Sequence, residues 1–244
     1  RGIIGLSRQD AACVKPLLED PGRYHNLPPF TDTALFARAA EYRTKHRADI
    51  IRCFEINGKA PILLAVGMMR DGDKLASYRV LANALERLQD RKWTLLIVGD
   101  GPARSSVSAA FSGFSANRVR FAGGITPKEL PAFYAAADMM VWPAVNEAYG
   151  MAMLEAQATG LPVIAGDTGG VPDFVRHGET GLLCTVGDTA EFAAAAADLR
   201  HRFYFVVVES IHVLQLGCGL GAPHAFAILL PRRDLMEVKD GPGP

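Results

Sequence analysis

Cysteine is scarce. Four are present in 244 residues, Cys13, Cys53, Cys184 and Cys218, and none forms a CxxC pair. That spacing excludes a clustered zinc site and a dense disulfide framework, and it fits a reducing compartment, so a cytoplasmic location is expected. Net charge is lacking too, because 26 Lys plus Arg balance 26 Asp plus Glu. No one-signed field then points to nucleic acid or requires a membrane surface. No apolar run reaches membrane-spanning length, and Phe203 to Leu216 is interrupted by Glu209 and His212. The six His are scattered, so neither a metal site nor a catalytic triad is expected. Neither GxGxxG nor GxxxxGK[ST] opens a helix after a strand, which excludes the simplest dinucleotide and P-loop readings. The first residue is Arg1 rather than Met, without a signal-peptide pattern, and is read as the start of a fragment or a processed chain.

What is present is a core-forming composition, 49% hydrophobic. Residues 1–60 do not read as a domain. One helix is expected before Leu18. Leu27 to Phe30 is a stiff extended piece with two prolines. Thr31 or Asp32 would cap a helix through Phe36 to Tyr42. The charged run Arg43 to Arg52 reads as solvated surface.

From Pro61 the pattern turns regular. Short apolar runs at Ile62–Val66, Leu95–Val98, Val119–Ala122, Met139–Trp142, Val163–Ala165 and Leu182–Cys184 read as strands covered on both faces. Helix-like segments alternate with them: Leu75–Gln89, Arg104–Phe111, Pro127–Ala136, Gly150–Thr159, Val171–Arg176 and Thr189–Leu199. Alternation of this kind predicts an α/β fold with a doubly wound parallel, Rossmann-like sheet over 61–200. Ligands of such sheets bind beyond the carboxyl ends of the strands, where Gly67, Gly99, Gly123 and Gly166 would form a rim. Residues 201–244 break the alternation and read as an atypical, partly disordered tail. Its LQLGCGLGAP (Gly217, Gly219, Gly221) has a strand–GxGxG outline like that of S-adenosylmethionine methyltransferases. Gln215 stands where an acid is usual, and too little chain follows to build that fold.

The densest chemistry lies in NEAYGMAMLEAQATGLPVIAGD, Asn146 to Asp167. Glu147 and Glu155 flank Gly150, where a loop becomes a helix. Carboxylates accept paired hydroxyls, and the free N–H groups of the helix start (Gly150 to Met153) suit phosphate. Gly169 and Gly170 close that corner. The alternative makes Glu147 a first-turn acid and Glu155 a solvated helix face, and spacing alone does not separate the two. In GMMRDGDK, Gly67, Arg70 and Lys74 offer two cations on a glycine-containing rim loop, able to clamp a diphosphate. The alternative is a solvated turn with Asp71 and Asp73 neutralising both cations.

Taken in order, VGMMRDGDK, LLIVGDGP, VRFAGG, the stretch YAAADMMVWPAVNEAYGMAMLEAQATGLPVIAGDTGGVPDFVRHGETGLL and Gly187–Asp188 resemble the C-terminal, donor-binding domain of glycosyltransferase family 4. These enzymes have two Rossmann-like domains, the GT-B architecture. The resemblance implies sugar transfer from a nucleotide-sugar (UDP-, GDP- or ADP-sugar) to a sugar, lipid or small-molecule acceptor, with retention and without a metal or a covalent cofactor. It implies that Glu155 holds the ribose and that Glu147 lies by the donor sugar. Backbone N–H groups from Tyr149 and Gly150 through Met151 to Ala152 would take sugar hydroxyls and phosphate. Lys74 would neutralise the diphosphate, and either Arg70 swings into the role of the family's Arg or phosphate binding rests on Lys74. The base would rest near Gly123, Gly124 and Ile125. Met68 stands where the family usually has an Arg. The acceptor domain is absent, residues 1–60 reading as its remnant plus the linker, so this chain alone is expected to transfer sugar poorly. A sugar-nucleotide epimerase of the same architecture and a non-catalytic nucleotide-binding module are the rival readings.

Overall fold

The computed structural model describes residues 2–27 and 29–202, so the readings made for 203–244, the GxGxG cluster included, lie outside the described residues. The chain opens with β1 (Ile3–Gly5), α1 (Arg8–Val14) and β2 (Tyr24–Asn26). The two strands pair in parallel, Ile3 opposite Tyr24. A capping box starts α1: Asp10 N–H donates to Ser7 Oγ at 3.0 Å and Ser7 N–H returns to Asp10 Oδ2 at 3.0 Å.

Two helices follow, α2 (Ala34–Glu41) and α3 (Arg43–Cys53). Of the two cap candidates it is Asp32 whose side chain accepts the Ala34 N–H, at 3.0 Å. The charged run is a correction: it is helix α3, not merely solvated surface. Its Arg43 and Arg47 guanidinium groups are turned inward onto the chain at 135–138. Sequence periodicity missed it because only Ile50 of this helix is buried.

The main body alternates β3 (Ile62–Val66), α4 (Asp73–Glu86), β4 (Thr94–Val98), α5 (Arg104–Ala110), β5 (Val119–Gly123), α6 (Leu130–Ala136), β6 (Met139–Trp142), α7 (Met151–Ala158), β7 (Val163–Gly166), β8 (Gly181–Cys184) and α8 (Thr189–Arg202). All six strands are parallel, in the order β5-β4-β3-β6-β7-β8. The apolar runs of the inner strands are buried on both faces, as their composition requires, and Leu64, Ala65, Leu95, Leu96, Ile97, Met140, Val141, Val163 and Ile164 are fully enclosed, whereas edge strand β5 buries only Val119 and β8 leaves Leu183 partly exposed. Leu75, Leu81 and Leu85 of α4 are buried, and Ser77 and Tyr78 join them. A second correction concerns Val171–Arg176, which is a single 3₁₀ turn, Val171–Asp173, rather than a helix.

The strand order places the topological switch between β3 and β6. The chain runs outward from β3 to β5, returns, and runs outward again through β8. Crevices at such a switch, beyond the strands' carboxyl ends, are where doubly wound sheets take ligands.

Candidate donor site

The loops that leave β3 and β6 meet at this switch. Gly67 follows β3 and leads into α4. Ala144, Val145 and Asn146 follow β6, and Ala144 (φ 55°) and Asn146 (φ 50°) hold left-handed backbone. Three contacts stitch that loop onto the first turn of α4. Val145 N–H donates to Ser77 Oγ at 3.0 Å, Asn146 Nδ2 donates to Asp73 Oδ2 at 2.9 Å, and Lys74 Nζ pairs with Glu147 Oε2. The carboxylate of Glu147 also accepts from the indole of Trp142, Nε1 to Oε2 at 3.1 Å. Both donors converge on one oxygen, and Oε1 takes no hydrogen bond among the described residues.

Sequence spacing marked Lys74 and Glu147 separately. The fold brings them into contact across 73 positions. The alternative of a self-neutralised turn fails for Lys74, since Asp73 turns to Asn146 instead. Arg70 is not gathered in. Its side chain is exposed, while its carbonyl accepts the Leu75 N–H at 3.2 Å. Met68, where an Arg is usual in the resembling family, is exposed beside it, and Met69 is buried in the core.

Gly150 is the left-handed N-cap of α7, with φ 71°. The N–H groups of Met151 and Ala152 behind it find no backbone acceptor among the described residues, which is the unsatisfied state that anions favour. Gly169 and Gly170 back this corner: Gly170 N–H donates to Ala148 O at 2.9 Å. Gly169 combines φ 56° with contact so close that a Cβ there would stand 2.0 Å from Glu147 O, so no side chain is tolerated.

Glu155 sits one turn further along α7, half-buried, and its Oε2 accepts the phenol of Tyr134 at 2.8 Å. Burial raises its carboxyl above the ordinary range, against the opposing pull of that hydrogen bond. Desolvation, with Glu155 beside it, pushes the Tyr134 phenol well up, so it stays a donor. The solvated-face alternative does not describe this carboxylate. On the other flank Gly123 ends β5, with its carbonyl accepting the Gly99 N–H at 2.8 Å. Gly124 is exposed and Ile125 packs partly on the core.

The opening segment leans on the same corner, a connection no local pattern announced. Arg8 forms an ion pair with Asp173, its N–H donates to Asp173 Oδ2 at 2.8 Å, and Tyr149 Oη donates to Asp10 Oδ2 at 3.4 Å. Burial, followed by the nearby Asp10, raises the Tyr149 phenol. Trp142, Tyr134, Ser77 and Asp10 are thus the participants that sequence reading left out. The only signal for Trp142 was its place at a strand end on the rim.

The family model described as glycosyl transferases group 1 matches residues 60–202. The chain belongs to that family. Among its relatives this group 1 glycosyltransferase chain is 33% identical over 187 residues to a D-inositol 3-phosphate glycosyltransferase of Corynebacterium efficiens, covering 74% of this chain and 43% of that protein. It is 33% identical over 189 residues to a GDP-mannose-dependent alpha-(1-6)-phosphatidylinositol monomannoside mannosyltransferase of Mycobacterium tuberculosis, covering 71% and 46%. The chain thus spans less than half the length of these curated relatives. Its fold matches an Anabaena protein, HepE, solved in complex with UDP-glucose, with TM-score 0.69 at 19% identity, covering 82% of this chain and 54% of that one. A glycosyltransferase of Rickettsia africae shares this fold as well, with TM-score 0.69 at 19% identity, covering 82% of this chain and 53% of that one, so the α/β parallel fold expected from the sequence is that of these neighbours.

Among the described residues no helix is long and apolar enough to cross a membrane, and no group of three His, Cys, Asp or Glu could hold a metal ion.

Proposed function

We propose that residues 61–200 form the donor-binding domain of a cytoplasmic glycosyltransferase that uses a nucleotide-sugar, with residues 1–60 a remnant of the acceptor domain plus linker. The observation that carries this is the Lys74–Glu147 pair at the β3/β6 switch, beside the unpaired N–H groups of α7. A cation, a carboxylate with one oxygen unengaged and a helix start together match a sugar joined to a diphosphate. Glu147 Oε1 accepts a donor-sugar hydroxyl. The N–H groups from Tyr149 to Ala152 take phosphate and further hydroxyls. Lys74, with Arg70 swinging in from solvent, neutralises the diphosphate. Glu155, held by Tyr134, accepts the ribose hydroxyls, and the base rests along Gly123, Gly124 and Ile125.

The mechanism follows from those roles. Charge that develops on the leaving diphosphate is met by Lys74 and by helix N–H groups, which supply the stabilisation a metal would otherwise give. Transfer with retention is assigned from the family resemblance. The acceptor, whether sugar, lipid or small molecule, must be held against this face by another domain, because closure excludes water from the cleft. The 244-residue chain is therefore expected to bind donor and to transfer poorly. The GDP-mannose dependence of one relative and the UDP-glucose bound to one structural neighbour support a nucleotide-sugar, and the base stays open among uracil, guanine and adenine. Calorimetry with UDP, GDP and ADP tests the reading. One of them binds if it holds, and a flat titration with all three sinks it.

A further inference from the structure

Trp142 ties three parts of the rim together. It ends β6 and is 2% exposed. The indole N–H reaches Glu147 Oε2, as described, and Lys74 Nζ lies 5.3 Å from the ring centroid, within cation–π range. Behind it Tyr78 stacks edge-on, at 5.0 Å and 83°. The Tyr78 phenol donates to Gly67 O at 2.7 Å. Gly67 itself is packed so close that a Cβ there would lie 2.9 Å from the Trp142 ring. One side chain therefore touches the β3 loop, the α4 cation and the carboxylate.

The arrangement poses a problem that binding must solve. Lys74 and Glu147 neutralise each other, yet a diphosphate needs Lys74. If Lys74 simply left, a part-buried carboxylate would remain without its charge partner, which is costly in a partly dry site. We infer that Trp142 is a positioning residue that keeps Glu147 hydrogen-bonded, with Oε1 free, while Lys74 is handed from the carboxylate to the phosphate. This rests on the donor reading above. The ring packs beneath Lys74 and the N–H belongs to Glu147, so the indole serves both ends of the exchange. A phenyl ring in its place keeps the first function and loses the second.

The test is a double-mutant cycle on the 244-residue chain, by calorimetry with UDP-glucose, GDP-mannose and ADP-glucose. Trp142→Phe is expected to weaken binding about tenfold, the order of one hydrogen bond to a charged group. In a Glu147→Gln background, with no charge left to strand, the same change is expected to cost less than about twofold. Equal losses in both backgrounds would make Trp142 a plain scaffold and overturn the inference, as would no loss in either. If the parent chain binds none of the three, the donor reading itself has failed, a different result from an additive cycle. Should Trp142→Phe not fold, Trp93→Phe leaves Trp142 as the only described indole in this part of the chain. Its emission is expected to change on donor binding as Lys74 leaves the ring, and an unchanged spectrum at saturation overturns the hand-over.

Discussion

Two half-buried ion networks lie at opposite ends of the sheet, and they are built to different rules. At the amino end of β3, Asp138 receives Arg43 at 3.0 Å and Arg47 at 2.9 Å, and its Oδ2 also accepts the Ile62 N–H at 2.7 Å. The two guanidinium groups go on to the carbonyls of Ala135, Ala136 and Ala137, which α6 leaves unpaired at its end. At the carboxyl end, Lys74 and Glu147 are less exposed, at 17% and 14% against 21–23%. Yet Glu147 keeps an oxygen free, and the helix start beside it keeps its N–H groups. A closed network fixes α3, α6 and β3 against one another. An open one has capacity left for a ligand. Burial alone does not distinguish them; completeness of hydrogen bonding does.

Breaking the closed network gives the largest expected effect. Asp138→Ala strands two partly buried guanidinium groups and orphans the Ile62 N–H. Stability should fall by about 3 kcal/mol, seen as a lower denaturant midpoint with unchanged slope. Protein that remains folded should bind nucleoside diphosphate as the parent does. A loss of affinity with stability intact would mean the two ends are not separable.

Lys74→Ala attacks the open network and should do the reverse. Nucleoside diphosphate affinity is expected to drop by about 2 kcal/mol, the worth of a charge-assisted contact to phosphate. The stability loss should be smaller than for Asp138→Ala, because Trp142 still donates to Glu147. If the two variants lose equal stability, the Lys74–Glu147 pair is structural.

The two networks also differ in how far they could be read in advance. The six strands stood out because parallel strands covered on both faces are nearly all apolar, and each lies within a residue or two of the run that marked it. Glu147, Lys74 and Glu155 stood out by residue type and rim position. Neither network stood out as a network, because its ion-pair partners are 73 to 95 positions apart. Helix α3 was hidden for the same reason, since its inward face is made by arginines seeking carbonyls. The Val171–Arg176 reading failed on a local contest: Thr180 Oγ1 accepts the Arg176 N–H at 2.9 Å and Thr180 N–H returns to Arg176 O, closing a turn where a helix would continue.

Glu155 stands between the two rules, half-buried yet with a single protein donor, and pH separates its roles. Its folded carboxyl binds a proton more tightly than it does in the unfolded chain. Ionising it therefore costs stability, a cost absent below the ordinary carboxylate range and complete once pH exceeds the raised folded value. Ligand hydroxyls want the ionised form, so nucleotide affinity should fall as pH is lowered through that same value. Glu155→Gln should remove both slopes. At neutral pH, Glu155→Ala is expected to weaken nucleoside diphosphate binding by about 1.5 kcal/mol. Titrations with a pH-independent affinity in the parent would leave the carboxylate out of the site.

The smallest effect is expected where the opening segment meets the proposed donor corner. Arg8 pairs with Asp173, but its side chain is 73% exposed, and solvent and salt screen such a pair. Arg8→Ala should cost no more than about 0.5 kcal/mol of stability, and that difference should shrink further in molar salt. The backbone N–H of Arg8 still donates to Asp173 in the variant, and Tyr149 still reaches Asp10, so the segment stays docked. Nucleotide affinity should be unchanged, because Arg8 touches none of the groups assigned to the donor. A large loss of affinity from this one exposed side chain would move the boundary of the open network. The opening segment would then be a wall of the donor site, and the comparison would have three members instead of two.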